Sequence, residues 1–128
     1  MPASDEGFIW ICASEQLPEH NLLHLNVIYA GELIPIFIFR HKGRCIAYRN
    51  LCVHMPRRLD CESKVIFDET GNLLRCSMHG IVYDPATGAS VSSICNGERL
   101  TPIEIGENHE GIWITDRRVR MRPLLFDV

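Results

Sequence analysis

A chain of 128 residues with 46% hydrophobic and 23% charged side chains has ordinary globular composition. It is long enough to bury a core as one domain without disulfides, and it lies far from disordered or fibrous classes. The formal net charge of −3 is too mild to indicate nucleic acid or an anionic membrane as partner.

The start, MPASDEGFIWICASEQLP, has early acids and no basic segment leading into an apolar one, which argues against a secretory signal. No run approaches the roughly 18 apolar residues of a membrane span. No membrane attachment and a cytoplasmic location are therefore expected.

Phe8 to Cys12 reads as an opening strand, ended by the turn signals of Ala13 to Pro18. Leu22 to Tyr29 follows with mixed alternation. Ile34 to Phe39 is a β-rich run, in which Pro35 suggests an edge strand or a first position. Arg40 to Arg44 holds a hairpin turn before Cys45-Ile46-Ala47-Tyr48-Arg49. Val65-Ile66-Phe67 and Leu73-Leu74-Arg75 read as the arms of a second hairpin. Ile81-Val82-Tyr83 is a short strand, Asp84 to Gly88 a turn, and Ser90 to Arg99 a loop. Thr101 to Ile105 and Gly111 to Thr115 form a closing pair joined by Gly106 to Glu110. The tail from Asp116 places four arginines between positions 117 and 122, which reads as a solvated extension ahead of a docking element. Many short strands with weak helical periodicity argue an all-β barrel or sandwich.

Six cysteines would need a secreted setting to act as a disulfide framework, and the N-terminus does not indicate one. Cys12 and Cys45 lie inside apolar runs and read as reduced core thiols. Cys61 and Cys95 are less defined, with a bridge between them the disfavoured reading.

The stretch that organises the chain is NLCVHMPRRLDCESKVIFDETGNLLRCSMHGIVY, from Asn50 to Tyr83. Cys52-Val53-His54 and Cys76-Ser77-Met78-His79 each supply one thiolate and one imidazole, with twenty-one residues between His54 and Cys76. Zinc accepts two sulfurs and two nitrogens, but its usual fingers pair Cys with Cys and His with His. A two-iron cluster with both thiolates on one iron and both imidazoles on the other needs the mixed pairing found here. His20, His24, His41 and His109 lack partner spacing and read as surface or strand residues.

At these residues the chain resembles the Rieske ferredoxin family, small iron–sulfur proteins that feed electrons to ring-hydroxylating and related oxygenases. The match is Cys-x-His, a spacer, Cys-x-x-His-Gly, then Tyr83, Asp84 and Thr87-Gly88. It extends over roughly residues 7 to 115, with a spacer longer than the family resemblance leads one to expect. The resemblance implies a single Rieske-like antiparallel β-barrel or sandwich over residues 1–128, with a small cluster-binding subdomain inserted at about 50–83. It also implies one [2Fe-2S] cluster, held by Cys52, His54, Cys76 and His79. Catalysis would then lie with a partner: the chain is an electron carrier from a flavin reductase to a terminal oxygenase. Two other functions compete. One is a small subunit bound to a larger reductase such as a nitrite reductase, disfavoured because all four donors are present; the other is a zinc-stabilised binding module.

The resemblance further places His54 and His79 at the protein tip as electron exchange points. Met55, Pro56, Met78 and Ile81 would form an apolar docking patch around them, with Arg57 and Arg58 at its rim. Gly80 would allow close backbone approach to the cluster. High-potential family members carry a disulfide between the two loops and hydroxyl donors near the sulfurs. Here Met78 precedes His79, Ile81 follows Gly80, and Tyr83 is the one obvious hydroxyl, so a potential at the low end is expected.

Overall fold

The computed structural model describes residues 8–19, 21–51, 59, 67, 72–75, 81–92 and 97–120. The chain divides into two compact units, one of residues 1–47 with 103–128 and the other of residues 48–102. All regular structure among the described residues is β, apart from one 3-10 turn at Ser14–Gln16.

In the first unit the longest elements are β2 (Leu22–Tyr29) and β3 (Glu32–His41), an antiparallel hairpin paired from Leu22 opposite Phe39 to Tyr29 opposite Glu32. Its two-residue turn, Ala30–Gly31, has φ of 51° and 88°. Positive φ at both central positions marks the turn whose twist matches the flanking strands. A second such turn, Lys42–Gly43 with φ of 52° and 80°, leads from β3 into β4 (Arg44–Arg49), as the sequence predicts. Adding β7 (Pro102–Ile103) and β10 (Val119–Arg120) completes a five-stranded sheet in the order β10-β2-β3-β4-β7. A three-stranded sheet, β1-β9-β8, is built from β1 (Ile9–Cys12), β8 (Ile105–Asn108) and β9 (Gly111–Ile114).

One core forms from both sheets. Ile34, Ile36 and Ile38 of β3 share a face because side chains alternate along a strand. They cluster with Val27, Ala47, Ile103, Ile112, Ile114 and Val119, all 3% exposed or less. Phe37 and Phe39 occupy the opposite face of β3, stacked with centroids 5.9 Å apart, and are also fully buried. Cys12 and Cys45 are free thiols packed at the edge of the isoleucine core.

Three expectations need correction. Pro35 lies inside β3, which runs between β2 and β4, so it is neither on an edge strand nor at the strand's start. It stands opposite Asn26. Counting in alternation from the Tyr29–Glu32 pair that closes the turn, this is a non-hydrogen-bonded pair, so the missing N–H costs no bond to β2. The segment Gly106 to Asn108 is strand rather than connector: Gly106 pairs with Trp113 and Glu107 with Ile112, leaving only His109 and Glu110 as the turn. The tail does not simply extend into solvent either. Val119 is fully buried and pairs with Tyr29, and Arg120 pairs with Ile28. Asp116, 1% exposed, aims this segment by accepting from Arg118 Nε at 2.9 Å, Arg118 Nη2 at 2.7 Å and the Glu104 N–H at 3.2 Å. Residues 121–128, including Arg122, lie outside the described residues.

A bidentate ion pair crosses the first unit. Arg40 donates to Glu107 Oε2 at 2.7 Å and to Oε1 at 3.1 Å, and its Nε donates to the Leu17 carbonyl at 2.7 Å. Arg40, helped by Ser14, holds the Glu107 carboxyl down at about 2 against its ordinary 4.5. The folded value lies below the unfolded one, so the stabilisation is complete above about pH 4.5 and is lost as pH falls towards 2. The pair is partly exposed, and solvent screening reduces its worth to about 1 kcal/mol. Denaturant titrations at pH 7 and pH 3 are expected to show wild type losing roughly half to two-thirds of that more than Glu107→Gln; equal losses would contradict this role.

Candidate metal centre

The first donor-bearing connection leaves the end of β4. Arg49 donates its N–H to the Thr101 carbonyl at 2.8 Å, and Leu51 N–H turns back onto the Arg49 carbonyl at 2.9 Å. Between them Asn50 is fully buried, and its Oδ1 accepts the N–H of Leu59, also fully buried, at 2.7 Å. One side-chain amide therefore closes the connection from position 51 to 58. A buried N–H needs such a partner, since leaving it unpaired costs about 1–3 kcal/mol.

Backbone pairing closes the second connection. In the antiparallel pair of β5 (Leu74–Arg75) and β6 (Val82–Tyr83), Leu74 stands opposite Tyr83 and Arg75 opposite Val82. Residues 76–81 are thus the link between two fixed ends. Phe67 forms an antiparallel bridge with Leu74, which matches the second predicted hairpin as far as the described residues reach.

The segment after the Asp84 to Gly88 turn is bridged, contrary to its reading as a loop. Tyr83 pairs with Ser90 and Ala89 with Arg99, while Ser90 N–H reaches the Glu98 carbonyl at 2.7 Å. This segment also grips β6: Val91 N–H donates to the Val82 carbonyl at 2.9 Å, and Ser92 Oγ accepts the Val82 N–H at 3.0 Å. The turn itself is held by Tyr48, whose hydroxyl donates to the Pro85 carbonyl at 2.7 Å. Burial, with the Asp84 carboxylate adding to it, pushes the Tyr48 phenol up to about 12, so it stays a donor. Gly88 has φ of 75°, and a Cβ there would lie 2.8 Å from the Tyr48 ring. Glycine fits on both counts.

Cys52, His54, Cys76 and His79 lie outside the described residues, as do Gly80, Met55, Pro56, Arg57, Arg58, Met78, Cys61 and Cys95. Among the described residues no group of His, Cys, Asp and Glu is arranged to hold a metal ion. Burial pushes the Cys45 thiol up to about 11, with Glu107 adding to the rise, and raises Cys12 as well. Both are therefore neutral, and the thiolate is the form that ligates metal. His24 and His109 are exposed strand and turn residues. His41 ends β3 and is buried, 7% exposed, so it is a strand residue away from the surface. The two Cys/His motifs, at positions 52–54 and 76–79, fall in sequence within the two connections that these closures bound.

One predicted patch residue is misplaced. Ile81 is 3% exposed, and two positions on, on the same strand face, Tyr83 is fully buried. Alternation turns Ile81 inward, so it adds nothing to a docking surface; Val91, at 48%, is the exposed large hydrophobic of this unit among the described residues. Sequence reasoning missed Asn50 and Ser92. Asn50 is flagged only by being a polar residue between a strand and a ligand motif, and Ser92 carries no signal at all.

Antiparallel sheets over an isoleucine core define an all-β domain whose sequence carries two short Cys/His motifs. The sequence model of the Rieske [2Fe-2S] domain matches residues 7–103. The chain belongs to the Rieske [2Fe-2S] domain family, and with that domain comes one [2Fe-2S] cluster per chain. It is 29% identical over 112 residues to Oxidoreductase NdmD of Pseudomonas putida, an alignment covering 82% of this chain and 18% of that protein. The chain thus spans less than a fifth of this relative's length.

Among solved structures, the ferredoxin of carbazole 1,9a-dioxygenase from Nocardioides aromaticivorans IC177 superimposes with a TM-score of 0.66 at 19% identity, covering 87% of this chain and 99% of its own. A chain from the complex of reduced oxygenase and oxidized ferredoxin in carbazole 1,9a-dioxygenase gives a TM-score of 0.68 at 19% identity, with 91% and 99% covered. These likenesses establish the fold, which is the Rieske ferredoxin fold expected from the sequence.

Proposed function

We propose that Cys52, His54, Cys76 and His79 hold the cluster, and that the protein carries single electrons from a flavin reductase to a terminal oxygenase. The observation that carries this reading is the family match across residues 7–103, a span that includes both complete Cys/His motifs. When bound, the cluster supplies one-electron redox chemistry at a protein surface. The protein's part is to fix the donors through the two closed connections and to present the His54 and His79 side to a partner. The likeness to a carbazole dioxygenase ferredoxin supports an oxygenase as acceptor. Two free, neutral thiols at Cys12 and Cys45 suit a reducing compartment such as the cytoplasm.

A second reading draws on the NdmD match, in which this domain corresponds to 18% of a larger oxidoreductase. There the domain would be permanently joined to, or bound by, its reductase. Co-purification at fixed stoichiometry would favour that arrangement over a mobile carrier.

A visible spectrum and a redox titration test the main proposal. The expected result is a reddish-brown protein that bleaches with dithionite, with a midpoint in the lower part of the roughly −150 to +300 mV Rieske range. A midpoint well above zero would refute the low potential. A colourless or zinc-containing protein from anaerobic preparation would remove the electron-carrier reading altogether.

A further inference from the structure

The two donor-bearing connections are closed by different means. The second is held by strand pairing, Arg75 opposite Val82, with Ser92 and Val91 bonded to both polar groups of the Val82 backbone. The first is closed at its neck by a side chain: Asn50 Oδ1 accepts from Leu59 N–H at 2.7 Å, with both residues fully buried. The backbone N–H of Leu51 is already committed to the Arg49 carbonyl, so the strand does not continue at this point. Cys52 and His54 both lie in the eight residues between these anchors.

We propose that Asn50 is a positioning residue for the cluster. By holding the two ends of the 51–58 connection together, its amide would lower the loop-closure cost of seating the cluster. The inference rests on the ligand assignment made above. Groups that orient metal ligands typically change metal retention by about 10- to 100-fold when removed, and that is the size of effect expected here.

The experiment uses the full chain carrying its cluster. Wild type, Asn50→Ala and Asn50→Asp are compared by the rate of iron release into a chelator and by the electron paramagnetic resonance spectrum of the reduced protein. Melting of the first unit is followed in parallel through Trp10 and Trp113. Asn50→Ala is expected to release iron at least about tenfold faster and to show a broadened, shifted spectrum, while the tryptophan transition stays in place. Asn50→Asp keeps an acceptor oxygen at the same reach but loses the amide donors at a fully buried position, so it is expected to restore the release rate only in part. If Asn50→Ala gives no folded protein, Asn50→Gln serves in its stead, because it keeps the amide and displaces the acceptor by one methylene.

A wild-type release rate and spectrum in Asn50→Ala, or in Asn50→Gln where that variant is used, would overturn the inference while leaving the ligand assignment standing. A wild type that binds no cluster would overturn the ligand assignment, and this inference with it.

Discussion

Cys76→Ser is expected to yield a folded but colourless protein, with iron content reduced more than about a hundredfold. The lower bound follows from the cost of disturbing mere supporting groups, which already reaches about 10- to 100-fold; loss of a ligand must exceed it. Serine keeps the shape but does not ionise at neutral pH, so it would offer a neutral, hard oxygen where the proposed cluster calls for a soft thiolate. The contrast with the other cysteines gives the prediction its force. Cys12→Ser and Cys45→Ser are expected to keep full colour, because both thiols belong to the first unit and burial keeps them neutral. Cys61→Ser and Cys95→Ser are expected to keep it as well, which would dispose of a disulfide with any part in cluster binding. Iron and sulfide analysis beside the visible spectrum checks all five. Full colour in Cys76→Ser, or loss of colour in any of the other four, would dismantle the ligand set.

Gly111→Ala is expected to be the most destabilising single-methyl change in the first unit. Gly111 opens β9 with φ of 133°, a region that L side chains rarely enter. A Cβ there would overlap the Cys12 carbonyl oxygen and come within 3.0 Å of Trp10 Nε1. Neither neighbour can withdraw easily. Cys12 stands at a register shift between β1 and β9, and the Trp10 indole donates to the Glu110 carbonyl at 2.8 Å. Backbone strain of about 1–3 kcal/mol and overpacking of about 1–3 kcal/mol together remove about 4 kcal/mol. Typical domains have a total of about 5–15 kcal/mol, so a fall in melting temperature of more than about 10 °C is expected. Thermal unfolding followed by tryptophan fluorescence decides it; a drop of only a degree or two would mean that β1 and the β8–β9 turn separate more readily than their contacts imply.

How far the fold can be read from the sequence varies with the length of each element. β2 and β3 are long and apolar, with Ala30–Gly31 and Lys42–Gly43 supplying the turns, and both elements stand close to where their residues predict them. β10 is two residues long, and its single buried apolar side chain, Val119, lies among arginines. No period exists over two residues, so composition points to solvent while the edge of β2 captures the segment. Pro35 misleads for a related reason: proline's cost in a sheet depends on which way its nitrogen faces, and the distance to the turn sets that. The Cys/His motifs are legible because few chemistries require that set of donors, whereas Asn50 is not, since its importance comes from a partner nine positions away, visible only once Leu59 is found buried beside it.

Each donor connection is closed by its own partners, Asn50 with Leu59 and Arg75 with Val82. Neither closure depends on the count of residues separating the two motifs. A change in that count would leave both closures untouched. A search pattern written with a rigid gap would pass over chains of this kind, whereas one built from two short windows and their flanking anchors would retrieve them.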